Sequence, residues 1–212
     1  MKHKYIAIEG AIGVGKTSLV DALAARFDSA KVMESIENPF LRDFYADRAG
    51  AAFQAQLFFL LSRYRQLTAL SQKDLFSKLV IADYVFEKDK IFAYLNLSDD
   101  ELLLYDKLYA LLEPNVPRPD LVIYLQAGTD VLMERIRKRR RDYEADLAEK
   151  YIAEVNRSFN HYFFHYDATP LLVVNTSDID FVSREEDLED LIEQIRTMER
   201  GVQYYVPLGS RG

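Results

Sequence analysis

A chain of 212 residues with 49% hydrophobic side chains can bury one core, and a single domain over residues 1–200 is expected. It contains no cysteine, which excludes disulfides and thiolate metal sites, and His3, His161 and His165 show no ligand spacing. The net charge of −7 argues against general attraction to nucleic acid, and Met1 to Glu9 reaches Gly10 too soon for a signal peptide or a membrane span, so a cytoplasmic protein with neither nucleic-acid nor membrane partner is expected.

In chain order, the apolar pattern predicts a strand at Tyr5–Glu9, a helix at Lys16–Phe27 and a weaker strand at Ala30–Glu34. A long helix at Ala51–Leu70, a strand at Leu79–Asp83, a helix at Asp99–Leu112 and a strand at Asp120–Gln126 follow. Helices at Asp130–Lys138 and Ala148–Tyr166, a strand at Pro170–Asn175 and a helix at Arg184–Glu199 complete the order, and the tail 201–212 is expected to be flexible. Alternating strands and helices, with strands that are unbroken apolar runs, predict an α/β fold. A parallel sheet of about five strands would be flanked by helices on both faces. Such sheets bind ligands beyond the carboxyl ends of their strands, so residues 10–17, 34–38 and 83–89 are the places to search.

The segment Gly10-Ala11-Ile12-Gly13-Val14-Gly15-Lys16-Thr17 matches GxxxxGK[ST], follows the first predicted strand and opens the first predicted helix. Glycines there let backbone N–H groups close around phosphate oxygens, and the helix N-terminus adds positive potential. Gly10, Ala11, Gly13, Val14, Gly15, Lys16, Thr17 and Ser18 are therefore the candidate triphosphate cradle. Lys16 would reach the β- and γ-phosphates, and Thr17 would ligate Mg2+. The bland alternative is a glycine-rich turn without a ligand, which requires neither the lysine nor the hydroxyl. A cradle alone separates neither a kinase from a GTPase nor either from a motor ATPase. The Asn-Lys-x-Asp segment expected of a GTPase is missing, however.

From about Tyr5 to about Ile195 the chain resembles the deoxynucleoside kinases, most closely the bacterial branch acting on deoxyadenosine and deoxyguanosine. The matching segments are Ile8–Thr17, Glu37–Tyr45, Gln56–Arg63, Ile81–Tyr84, Ile123–Ala127 and Asp180–Phe181. The resemblance implies a three-layer P-loop kinase fold with a short helical lid at about 135–147, ATP and Mg2+ as cofactors, a deoxynucleoside as partner, and a homodimer. The implied reaction phosphorylates the 5′-hydroxyl of a deoxynucleoside, preferably a purine one, for nucleotide salvage.

The resemblance also implies roles. Glu34 takes the position of the general base, with an exposed loop acid as the bland alternative and Glu37 as the rival for the same job. Asp83, closing an apolar run, would hold Mg2+ through its water shell, or merely cap the next helix. Here the sequence departs from the best-known members. Tyr84 stands where they carry an arginine that touches the 5′-oxygen, as it does in some purine-specific bacterial relatives. Six cations fall within the seven residues 135–141, and Arg135, Arg139 and Arg141 are the candidates to neutralise the transferring phosphoryl. A solvated basic face or a nucleic-acid patch is the alternative. Glu144 and Tyr45 would hold the sugar 3′-hydroxyl, and Asp180 and Phe181 would flank the adenine of ATP.

Phe53, Leu57, Leu60, Leu61 and Tyr64 form an apolar stripe on the long helix, which Gln56 and Arg63 interrupt. The amide of Gln56 suits the edge of a nucleobase, and Asp89 with Arg63 offers an acceptor and a donor array to a purine. Satisfied surface polar groups are the alternative. Two rival functions stay open: a thymidylate-type monophosphate kinase, with Arg42 or Arg63 meeting the acceptor phosphate, and a P-loop NTPase that phosphorylates nothing small.

Overall fold

The unbroken apolar runs assemble into one wholly parallel sheet. Its strands are β1 (Tyr5–Gly10), β2 (Ala30–Val32), β3 (Val80–Ala82), β4 (Leu121–Gln126), β5 (Leu171–Asn175) and β6 (Val202–Tyr205), in the order β2-β3-β1-β4-β5-β6. The helices are α1 (Lys16–Phe27), α2 (Leu41–Tyr45), α3 (Ala51–Gln72), α4 (Lys88–Asn96), α5 (Asp99–Leu112), α6 (Thr129–Arg139), α7 (Glu149–Phe164) and α8 (Glu185–Thr197). The structure, a computed structural model, describes residues 2–34, 37–72, 78–139, 148–177, 179, 181 and 184–206. Two compact units divide the chain: Met1–Met33 with Phe76–Val85 and Arg118–Gly212, and Glu34–Leu75 with Phe86–Pro117.

The first unit holds the sheet. β1 lies inside it, bonded to β3 on one side and β4 on the other, and Ile6, Ala7, Ile8, Val80, Ile81, Leu121 and Ile123 are fully buried. Burial on both faces explains why these runs do not alternate with polar residues. Helices flank the sheet with one apolar stripe each: Leu19, Val20 and Leu23 on α1, Leu132 and Ile136 on α6, Ile152, Val155 and Phe159 on α7, and Leu188, Leu191 and Ile195 on α8. Each such side chain contributes about 1.5–3 kcal/mol relative to its exposed state. Asp120 fixes where β1 starts, since its Oδ2 accepts the N–H groups of Lys4 (2.8 Å) and Tyr5 (2.9 Å).

Two expectations change here. The sheet has six strands rather than about five, because Val202–Tyr205, expected within a flexible tail, pairs in parallel with β5. This edge strand alternates exposed with half-buried residues, so no buried run marks it in the sequence. The expected lid at about 135–147 begins on α6, but residues 140–147 lie outside the described residues.

The second unit is helical: α3 packs against α2, α4 and α5. Its buried stripe is not the predicted one. Ala51, Ala55, Gln56, Leu60, Arg63, Leu67 and Leu70 face inward, at steps of three and four apart from the adjacent Ala55 and Gln56, while Leu61 is 51% exposed. Gln56 and Arg63 thus lie at the centre of the buried face rather than interrupting it, because acids of the same unit neutralise and bond them. Asn38 fastens the segment after Glu34 to α3: its amide donates to the Ala55 carbonyl and its Oδ1 accepts the Phe40 N–H, both at 2.9 Å. α5 starts at a capping box, with the Ser98 N–H and hydroxyl both 3.0 Å from Glu101 Oε2. Among the described residues no helix is long and apolar enough to cross a membrane.

Candidate functional site

In the first unit, the sheet delivers a phosphate cradle. The chain leaves β1 at Gly10 and enters α1 at Lys16, turning on Gly13 (φ +86°) and Gly15 (φ +107°). A β-carbon on Gly13 would stand 2.8 Å from Ile136 Cγ1 and 2.9 Å from the Leu132 carbonyl, so only glycine fits. Gly15 is the N-cap of α1, and the first N–H groups of that helix face outward without intrahelical acceptors. The Lys16 ammonium donates to the carbonyls of Gly10 (2.5 Å) and Ala11 (3.1 Å), which folds it over the loop. Thr17 and Ser18 lie exposed on the first turn. Phe181, one of the expected adenine-loop residues, is buried with its ring edge against Gly15.

Arg135 closes the loop from α6. It donates to the Val14 carbonyl (3.2 Å), to Thr176 Oγ1 (3.1 Å) and to the Thr176 carbonyl (2.6 Å). The arginine expected to meet phosphate is thereby held by backbone at the loop itself. Arg139, the last residue of α6, is exposed. Arg141, Glu144 and Asp180 lie outside the described residues.

Glu9 was legible only as the end of a strand. It is fully buried; its Oε1 accepts the Gly10 N–H at 2.9 Å and its Oε2 accepts the Val85 N–H at 3.1 Å. One carboxylate thus joins the first residue of the cradle to the segment that leaves β3. Asp83 and Tyr84 lie on that segment, both buried, with the Asp83 N–H bonded to the Val32 carbonyl at 3.1 Å. Asp83 therefore follows a β-strand that neighbours β1, the position at which a carboxylate can serve a metal held by cradle phosphates.

In the second unit, four charges and two neutral groups form one network. Arg63 donates to Glu34 Oε1 through Nε (3.1 Å) and again through a terminal nitrogen, while its other terminal nitrogen pairs with Asp89. Lys88 Nζ donates to Glu34 Oε2 at 2.6 Å. Asp89 also accepts from Gln56 and from the Tyr105 hydroxyl (3.0 Å), and the Gln56 amide reaches the Asp89 carbonyl at 2.8 Å. The Arg63 guanidinium lies 4.9 Å from the centre of the Phe59 ring. Burial alone would raise the Glu34 carboxyl, but the Lys88 and Arg63 charges and hydrogen bonds overcome it and hold the group well below the usual carboxylate range. Asp89, fully buried, is pushed up by desolvation, against Arg63, Gln56 and Tyr105.

The predicted acceptor residues Glu34, Gln56, Arg63 and Asp89 therefore share one hydrogen-bonded network, and Glu37, the rival base, is exposed. Both Asp89 oxygens are already occupied, so its part here is to hold Gln56 and Arg63. Tyr45 closes α2, with its ring 5.2 Å from that of Phe44. Lys88 and Glu9 were missed. Lys88 sits in the run Glu87–Lys90, which reads as a solvated turn, and its partner is 54 positions away.

Sheet order, cradle and flanking helices define a P-loop kinase. Residues 6–199 match the deoxynucleoside kinase family model, and the chain belongs to that family: it is a phosphotransferase with an alcohol acceptor. It is 37% identical over 202 residues to a deoxyguanosine kinase of Bacillus subtilis, covering 92% of this chain and 97% of the relative. It is 27% identical over 208 residues to a deoxyadenosine/deoxycytidine kinase of the same organism, covering 93% and 94%. Among solved structures it is similar to deoxyadenosine kinase from M. mycoides with the products dCMP and dCDP bound, with a TM-score of 0.77 and 23% identity over 92% of this chain and 100% of the other.

Glu9→Gln should leave one of the two backbone N–H groups without an acceptor. The expected loss is about 1–3 kcal/mol of stability in urea denaturation, with a raised KM for the phosphate donor. Unchanged stability and donor KM would contradict the role given to Glu9.

Proposed function

We propose that the enzyme transfers the γ-phosphate of ATP to the 5′-hydroxyl of a purine deoxynucleoside, giving the 5′-monophosphate for nucleotide salvage. The single observation that carries this reading is the sharing of Arg63 by Glu34 and Asp89: the proton acceptor and the base-reading face are set by one guanidinium. Gln56 Oε1 and the guanidinium N–H groups not engaged with Glu34 or Asp89 provide an acceptor beside donors, which suits the N7 and O6 edge and the ring N–H of guanine or the matching edge of adenine. The names of the relatives, a deoxyguanosine kinase foremost, support a purine acceptor.

In the reaction, Glu34 accepts the 5′-hydroxyl proton as the 5′-oxygen bonds to the γ-phosphorus. The bond from that phosphorus to the β,γ-bridging oxygen breaks, and ADP leaves. Lys16 and the N–H groups at the start of α1 hold the β- and γ-phosphates, and Arg139 and Arg141 neutralise charge on the moving phosphoryl. Arg135, fixed to the Val14 and Thr176 carbonyls, keeps the cradle in shape. Thr17, on the exposed first turn of α1, and Asp83, the residue after β3, would hold a Mg2+ ion beside the phosphates. When bound, that ion offsets phosphate charge. The cysteine-free composition supports the cytoplasm as the place of action.

A homodimer is supported by α5, whose Leu103, Leu104, Leu108 and Leu111 are exposed. Sedimentation at micromolar concentration should give twice the monomer mass, and a monomer throughout would refute it.

Glu34→Gln should keep ATP binding and lower turnover on deoxyguanosine or deoxyadenosine by a factor on the order of 10² to 10⁴. Because the Glu34 carboxyl lies below its ordinary value of 4.5, its base form persists as pH falls, and kcat/KM should show no Glu34 limb down to about pH 5. ADP release across deoxynucleosides, monophosphates and single-stranded DNA checks the acceptor class. Stimulation by DNA or monophosphates alone would overturn the reading.

A further inference from the structure

Lys88 is the charged residue of the network that no expected role accounts for. It opens α4, is 6% exposed, and its ammonium lies 2.6 Å from Glu34 Oε2. A lysine so removed from water needs a carboxylate. We infer that Lys88 is a positioning residue for the catalytic base: it pins one oxygen of Glu34 while Arg63 pins the other. This inference rests on the reading of Glu34 as the base.

The charge balance requires such a residue. Arg63, from α3, serves both Glu34 and Asp89, so without Lys88 the network would set two carboxylates against one cation. Arg63 from α3 and Lys88 from α4 both bond Glu34; Asp89, next on α4, meets Arg63, and Tyr105 from α5 meets Asp89. Position matters as well as charge. The two Arg63 nitrogens and Lys88 come to different oxygens of one carboxylate and fix its plane, which a general base must present to a hydroxyl within hydrogen-bond reach. A compact ammonium at one oxygen does this without the forked geometry of a guanidinium.

The sign of the pH effect follows. With Lys88 present, Glu34 stays ionised below its ordinary value of 4.5; with the charge removed, the acid limb of kcat/KM moves to higher pH.

The test compares Lys88→Met, Lys88→Arg, Glu34→Gln and the Lys88→Met/Glu34→Gln double variant, with deoxyguanosine and ATP. Lys88→Met is expected to lower kcat about 10- to 100-fold and to bring the acid limb, which lies below about pH 5 in the unaltered enzyme, up into the measured range. Lys88→Arg is expected to keep the limb of the unaltered enzyme, and Lys88→Met is expected to cost less than about twofold in the Glu34→Gln background. An unmoved limb in Lys88→Met, a shifted limb in Lys88→Arg, or the same loss with and without Glu34 would overturn the proposal. Failure of the underlying reading shows separately, as near-normal turnover in Glu34→Gln, and overturns both. Should Lys88→Met not fold, Lys88→Gln, which also removes the charge but keeps a polar end, takes its place: its acid limb is expected to move upward, and an unmoved limb there overturns the proposal.

Discussion

Two carboxylates and two cations are withdrawn from water in the network of Glu34, Asp89, Arg63 and Lys88, and neither acid can be placed without them. Removing one partner from a buried ion pair costs about 3–5 kcal/mol, because the remaining charge is left uncompensated. The positions of the acids are therefore dictated by the cations, and Arg63, bonded to both, sets the distance between Glu34 and Asp89. Its contact with the Phe59 ring adds about 0.5–2 kcal/mol and fixes the guanidinium plane. The Glu34 carboxylate is thus built into a helical unit as part of its packing.

The sheet solves a different problem, holding backbone rather than charge. Gly13 is confined by Ile136 and the Leu132 carbonyl, Lys16 is folded onto its own loop, and Arg135 ties the Val14 carbonyl to Thr176. Glu9 adds a connection that reaches from Gly10 to Val85, just beyond Asp83. The loop and the segment that carries Asp83 are therefore held to one buried acid. A single strand in the interior of the sheet supplies both the phosphate loop and the bond that aligns it.

How much of this could be read from the residues depended on whether the signal was local. α1 and α5 match their predicted bounds, the first because the cradle ends on Gly15, the second because Ser98 and Glu101 form a capping box. The inner strands were legible as apolar runs. β6 was not, since an edge strand shows no buried run, nor was α4, whose first residues Lys88 and Asp89 are buried yet read as solvated. The cradle was legible because every part lies within the nine residues 10–18. Glu34 and Arg63 were legible singly, but their pairing across 29 positions, and Lys88 across 54, exist only once the helices pack.

The most direct measurement of the account is a crystal structure with deoxyguanosine and a non-hydrolysable ATP analogue bound together. The expected result is a 5′-hydroxyl within about 2.6–3.2 Å of a Glu34 oxygen, with Arg63 still spanning Glu34 and Asp89 and the purine edge against Gln56. A sugar hydroxyl facing Glu37 or solvent, with Glu34 turned away, would contradict it.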